Sequence, residues 1–203
     1  LAVTVGPLVA VALALAAGIE ATEAELRRCV AAGVRGFGEL RPDNLGFNLT
    51  GEEGRRLGKM SAETGSTLLF HCSEPVGHRY AGKLGMSLSS LYEFIVEHPG
   101  ARIVAAHWGG GLPFFALMPE VKLALANVAF DTAATSLLYS PDIYLEVSRA
   151  IGAAGIVFGS DFPLLSQKAS RERIEASGLE PDAIDALLGG NAARLLGVST
   201  FVA

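Results

Sequence analysis

Arg102-Ile-Val-Ala-Ala-His107 is a short apolar run that ends in a histidine, and Trp108-Gly109-Gly110-Gly111 follows it at once. An uninterrupted apolar stretch of this length, bounded by turn residues, reads as a strand covered on both faces, as in a parallel sheet. The same design recurs along the chain. Val3–Val5, Gly36–Leu40, Thr67–His71, Ile103–His107, Val128–Asp131 and Ile156–Asp161 each read as a buried strand that runs into a polar or glycine-rich loop. Helix-like segments lie between them. Ala21–Ala32 opens with a Thr22/Glu25 capping box and carries Leu26, Cys29 and Val30 at helical spacing, while Leu88–Glu97 stops before Pro99 and Pro181–Leu196 stops at Gly197.

Glu39, His71, His107, Asp131 and Asp161 stand at or just past successive strand ends, spaced by roughly 30 residues, the length of one βα unit. Regular strand–helix alternation at that period leaves a closed barrel or an open doubly wound sheet. A polar residue at every strand end favours the barrel, which gathers all those ends around one mouth. An open sheet would place its ligand at a single switch point, usually beside a phosphate loop. Gly109-Gly110-Gly111 matches neither GxGxxG nor the Walker pattern. The fold expected is therefore α/β, a (β/α)8 TIM-barrel type.

Composition narrows the function. The 203 residues suit one domain over 1–203, 50% are apolar, and the net charge of -5 is scattered, with no basic patch for nucleic acid. Cys29 and Cys72 form no CxxC or ladder spacing, so no disulfide framework or thiolate zinc site is indicated, and a reducing, cytoplasmic setting fits. Leu1–Ile19 carries no charge. It lacks the basic start of a secretory signal, and Gly6-Pro7 in an alanine-rich run suits a membrane span poorly, so no membrane role is expected. The chain begins with leucine and is expected to start inside a longer gene product.

His71 follows Ser66-Thr-Leu-Leu-Phe70 as His107 follows its own apolar run. A histidine at the rigid end of a strand is what a metal ligand requires, because fixed ligands preserve coordination geometry. A single such residue also reads as a core histidine satisfied by a backbone carbonyl, but two at matching positions favour ligands. Asp161, in Gly159-Ser-Asp-Phe-Pro163, reads either as a carboxylate ligand and base or as a turn residue. Glu39, in Gly36-Phe-Gly-Glu-Leu-Arg-Pro42, offers a further carboxylate ligand or an ion pair to Arg41 or another cation. His78, Arg79, Tyr80 and Lys83 follow His71 and form either a clamp for the carboxylate of a small-molecule substrate or a solvated loop. Trp108 walls the pocket or packs under the Gly109–Gly111 turn, His98 reads as a helix-end surface residue, and Asp131 reads as a hydrogen-bond partner behind a ligand.

Thr67–Pro75 (TLLFHCSEP), Ile103–Phe114 (IVAAHWGGGLPF), Val157–Pro163 (VFGSDFP) and Gly189–Leu196 (GGNAARLL) together resemble the ordered signatures of the amidohydrolase-related family. Its members are barrel metalloenzymes that include hydrolases and nonoxidative decarboxylases, and the resemblance runs from Thr22 to the end. It implies that His71 binds a divalent metal, with zinc the first expectation. It also implies that His107 binds metal or acts as acid/base, and that Asp161 is a ligand and often the base.

The family's His-x-His or Glu-x-His pair on the first strand has no counterpart here, since the four histidines are 71, 78, 98 and 107. With Asp161 ending the eighth strand, Glu39 ends the fourth and Val3–Val5 is the third. An incomplete barrel without its first two strands is expected, and its ligand count puts metal affinity at the margin. Val3–Val5 should lie near an open edge covered by Ala10–Ala17 or by a partner chain, which makes a homo-oligomer an expected arrangement. The leading expectation is metal-assisted hydrolysis of an amide, ester or lactone, the second a nonoxidative decarboxylation, and the third an inactive remnant kept as a binding module.

Overall fold

The computed structural model describes residues 18–83 and 85–198. Its sheet has five strands, β1 Gly36–Leu40, β2 Thr67–Phe70, β3 Arg102–Ala105, β4 Val128–Asp131 and β5 Ile156–Val157. They lie side by side in chain order and every pair is parallel. An unreversed order is the wall of a (β/α) barrel, since a doubly wound sheet turns back on itself. Among the helices that support it in the described residues are α1 Ile19–Ala31, α2 Glu52–Thr64, α3 Leu88–Glu97, α4 Pro119–Ala124, α5 Ile143–Ile151 and α6 Gln167–Glu175. Val3–Val5 and Ala10–Ala17, expected as an edge strand and its cover, lie outside the described residues.

The register explains why the strands read as continuous apolar runs. Leu68 stands opposite Ile103, Ile103 opposite Val128, and Phe130 opposite Ile156. Successive side chains of a strand point to opposite faces. Leu68, Phe70, Ile103, Ala105, Val128 and Phe130 therefore enter one core, shared with Leu57 and Met60 of α2 and Leu91 and Phe94 of α3. Val104, Ala129 and Val157 face the other way with Leu69, against Ala192 and Leu195 near the C-terminus. Both faces are covered, so neither can be polar.

Two local readings need correction. The helix expected from Ala21 begins at Ile19, because Ile19 itself packs against the core. Thr22 is then a helical residue whose hydroxyl donates to the Gly18 carbonyl at 2.8 Å, and Glu25 pairs forward with Arg28 at 2.6 Å rather than back in a capping box. His98 stands at the helix end as expected, but it is half-buried rather than on the surface. It caps the C-terminal end of α3, its ring lies 4.7 Å from that of Phe94, and a Cβ built on Gly58 of α2 would meet its Cγ at 2.4 Å.

The helix expected over Pro181–Leu196 is α-helical at Pro181–Asp185, π-helical at Ala186–Gly190 and α-helical again at Asn191–Leu196. Asn191 is 1% exposed and donates from Nδ2 to the carbonyls of Ala153 (2.9 Å) and Ile156 (2.7 Å). The asparagine of GGNAARLL thus fastens the last helix to β5. Asn191→Leu leaves two carbonyls without a donor and is expected to lower stability by about 2–4 kcal/mol. Urea unfolding checks this, and an unchanged midpoint would remove the clasp from the account.

Candidate metal centre

β1 loses regular register with β2 between Phe37 and Leu40, an irregularity of the kind that re-aims a side chain beside a site. Gly38 permits the approach, because a Cβ there would lie 2.6 Å from the Leu69 Cβ. Glu39 leaves this bend with Oε1 2.9 Å from His71 Nδ1 and 3.4 Å from His107 Nε2. His71 is the first residue past β2, and its backbone N–H donates to the Leu40 carbonyl at 3.0 Å. Its Nε2 stands 3.3 Å from the Ser73 hydroxyl.

His107 is placed differently from the expected strand end. β3 stops at Ala105, and His107, Trp108, Gly109, Gly110 and Gly111 follow with φ of 55°, 56°, 58°, 61° and 93°. A left-handed conformation costs a residue with a Cβ roughly 1–2 kcal/mol, and glycine far less. Three glycines remove most of that strain, and specific bonds hold the two residues that keep it. Asp131 Oδ1 accepts the His107 backbone N–H at 2.8 Å, and the Trp108 indole donates to the Thr135 hydroxyl at 2.9 Å. His107 Nδ1 donates to the Ala133 carbonyl at 3.3 Å. A carbonyl only accepts, so Nδ1 carries hydrogen and Nε2 faces Glu39.

The donor set fits a divalent ion. Two ligand atoms each about 2.1 Å from one ion stand roughly 3.0–3.4 Å apart in octahedral or tetrahedral geometry, close to the 2.9 and 3.4 Å at which Glu39 meets the two imidazoles. Glu39, His71 and His107 are the one such cluster among the described residues. Two imidazoles and a carboxylate suit zinc or manganese. Asp161 belongs to the same cavity of about 460 Å3 but not to this cluster.

Without an ion Glu39 and His107 neutralise each other. Burial opposes charge on His107, yet the Glu39 hydrogen bond and the nearby Asp131 and Glu39 carboxylates outweigh it and hold the imidazole at about 9. Burial likewise opposes charge on Glu39, and the two histidines hold it down at about 2. The raised His107 value stabilises the metal-free chain fully below about pH 6.5 and ceases to as pH rises through 9. The lowered Glu39 value stabilises it above about pH 4.5 and ceases to as pH falls through 2. An ion must displace the His107 proton, so metal affinity is expected to climb up to about pH 9 rather than level off above the free imidazole value. Calorimetric titration with Mn2+ in buffers of different ionisation enthalpy counts that proton, and zero release at pH 7 would contradict it.

The remaining sequence candidates divide. His78 and Tyr80 line the cavity with His71, His107 and Asp161. Arg79 and Lys83 instead line a neighbouring cavity with Tyr80 and Glu74, and Lys83 is spent on the carbonyls of Val76 and His78. Trp108 is 0% exposed and packs edge-on against Tyr144, so it cannot contact a substrate. Asp131 supports His107 through the backbone rather than through the ring. Glu39 meets the histidines, whereas Arg41 donates to the Gly82 carbonyl at 3.0 Å. Asp161 lies beyond β5, which ends at Val157, and is exposed. Sequence reasoning passed over Arg41, Ala134, Leu137, Leu138 and Leu164 as cavity walls. Leu137 and Leu138 lie on the short helical turn Thr135–Leu138, which no motif in the sequence marks.

The chain belongs to the amidohydrolase family, whose model, described as Amidohydrolase, matches residues 4–198. The family is metal-dependent, and no curated protein matches the chain. Among solved structures it is similar to 2,6-dihydroxybenzoate decarboxylase from Rhizobium, at 16% identity and TM-score 0.71 over 89% of this chain and 68% of that one. It is similar to dihydroxybenzoic acid decarboxylase from Polaromonas, solved with bound manganese and the inhibitor 2-nitroresorcinol, at 15% identity and TM-score 0.70 over 88% and 65%. A putative 2-pyrone-4,6-dicarboxylic acid hydrolase from Pseudomonas putida matches at 20% identity and TM-score 0.62 over 86% and 67%. The chain therefore spans about two thirds of the length of these neighbours and shares their barrel fold. Among the described residues no helix is long and apolar enough to cross a membrane.

Proposed function

We propose that the chain is a metal-dependent hydrolase that attacks an amide, ester or lactone of a small, partly apolar carboxylate. The observation that carries this is the convergence of Glu39, His71 and His107, whose two imidazoles line one cavity together with Asp161. A divalent ion held there would act as a Lewis acid on a carbonyl and lower the pKa of a water. Three protein donors meet the number usual for catalytic zinc, the count that the sequence left at the margin, and manganese suits the same donors.

Each residue has its own task. The Ala133 carbonyl fixes the His107 ring, so His107 Nε2 serves as a ligand rather than as a mobile acid. Asp161, exposed at the wall, takes the proton of the attacking water and returns it to the leaving group. Arg41 supplies positive charge and His78 a ring N–H for a substrate carboxylate, and Leu137, Leu138 and Leu164 exclude water around its body. Buried, unpaired Cys29 and Cys72 fit a reducing compartment such as the cytoplasm.

A second reading, nonoxidative decarboxylation of an aromatic or unsaturated acid, is favoured by those leucine walls. The deciding experiment supplies Zn2+ or Mn2+ and compares p-nitrophenyl esters and aryl lactones with dihydroxybenzoates, following phenol or acid release against carbon dioxide. Hydrolysis lost in Asp161→Asn supports the first reading, and carbon dioxide release supports the second. Failure to bind either metal would favour the remnant.

A further inference from the structure

Tyr80 lines both the metal-centre cavity and its neighbour. The hydroxyl donates to Glu74 Oε2 at 3.0 Å, and Glu74 lines only the neighbouring cavity. The other Glu74 oxygen, Oε1, is buried without a hydrogen-bond partner, as is the hydroxyl of Tyr139. Tyr139 stands over Gly111 and tilts against Phe114. On the opposite side Ser73, next to Glu74 in sequence, reaches His71 Nε2. A half-buried carboxylate thus joins the loop after β2 to the ring that forms a cavity wall. His78 leans on that ring at 5.4 Å and Lys83 lies 5.5 Å from its centroid.

Desolvating a carboxylate is unfavourable unless its bonds recover the loss, and Glu74 makes no ion pair among the described residues. It accepts from the Tyr80 hydroxyl, and its charge also acts on the Tyr139 hydroxyl, which burial and Glu74 together push up. With that hydroxyl bound elsewhere, Tyr80 offers the metal-centre cavity its ring and no hydrogen bond, alongside Leu137, Leu138 and Leu164. Aromatic pairs gain about 0.5–1.5 kcal/mol beyond area burial when stacked or edge-on, so a ring held in place favours a flat ligand over a puckered one.

We propose that Glu74 is a positioning residue that latches Tyr80 as an aromatic wall of the metal-centre cavity and so selects substrates with a flat, unsaturated body. The inference rests on the functional reading above for the cavity's role as a substrate site, and it is independent of the reaction performed there. The test compares wild type, Glu74→Ala, Glu74→Gln and Tyr80→Phe. Binding of benzoate and of cyclohexanecarboxylate is measured with Mn2+ present, and Mn2+ affinity and hydrogen exchange of residues 76–83 are measured separately.

Wild type should prefer benzoate by about three- to tenfold. Glu74→Ala and Tyr80→Phe should lose that preference and the loop protection while keeping Mn2+ affinity. Glu74→Gln, whose amide oxygen still accepts from Tyr80, should retain most of both. A benzoate preference unchanged in Glu74→Ala, or Mn2+ affinity falling in parallel with it, would overturn the latch. Absence of Mn2+ binding in wild type would strike the functional reading alone. The exchange data would then decide the latch by themselves, with protection equal in Glu74→Ala and wild type counting against it.

Discussion

His71→Ala is expected to lower metal affinity by more than a hundredfold and to abolish metal-dependent turnover, with Glu39→Gln close behind. Loss of a partner behind a ligand already costs about 10–100-fold in affinity or activity, and His71 and Glu39 are themselves donors in the cluster. Their removal also acts on the third member. Without the Glu39 carboxylate, only the Asp131 charge and the Ala133 carbonyl remain to offset burial at His107, so the site loses an anionic donor and its charge balance at once. His71 is 13% exposed at its side chain and sits past the end of β2, so its truncation should leave folding largely intact. Elemental analysis after dialysis, with thermal unfolding as the control, separates lost metal from lost fold. Stoichiometric metal in His71→Ala would remove this cluster from the site.

The second large effect is expected from Gly109→Ala, at about 2–5 kcal/mol of stability with displacement of His107. Gly109 has φ +58°, and a Cβ there would lie 2.6 Å from Phe130 Cε1 and 3.3 Å from the Ala105 Cβ. Phe130 is 0% exposed in the centre of β4 and cannot swing aside. The left-handed backbone costs roughly 1–2 kcal/mol with a Cβ present, and overpacking a core about 1–3 kcal/mol. Gly33→Ala is the comparison: φ is +91° with nothing within 4 Å of the added carbon, so it carries backbone strain without the clash. Urea unfolding of the two variants isolates the packing contribution. A Gly109→Ala variant no less stable than Gly33→Ala, with unchanged metal affinity, would show that the His107 turn does not depend on this glycine.

Much of the architecture was legible because it follows from local periodicity. Strands buried on both faces have to be apolar at every position, so Ile103–Ala105 and Val128–Phe130 read as strands without any partner in view. The polar residue after each run could be placed at the barrel mouth because strand direction fixes which end carries it. That reasoning brought His71, His107 and Asp161 to one cavity from three separate units. It also overextended the strands, because hydrophobicity continues through Phe158 and Ala106 after the ladder has stopped at Val157 and Ala105.

What remained hidden depends on contacts between residues far apart in the chain. Thr22 and Glu25 match a capping box, but the burial of Ile19 starts the helix earlier. Lys83 and Arg79 have the charge of a substrate clamp, yet the loop's own path turns Lys83 onto its carbonyls. Trp108 reads from sequence as a pocket wall or as packing, and the structure decides for packing, because the left-handed turn drives its indole onto Thr135 and Tyr144.

The sequence by itself determined the parallel α/β architecture and the residues at the barrel mouth, since both follow from apolar period and strand polarity. Only the tertiary structure decided that Glu39, rather than Asp161, closes the cluster with the two histidines. A register shift in β1 and a run of five positive-φ residues after β3 set those donor positions. Ångström-scale approach of three side chains is a property of packed backbones, and no spacing within one strand encodes it.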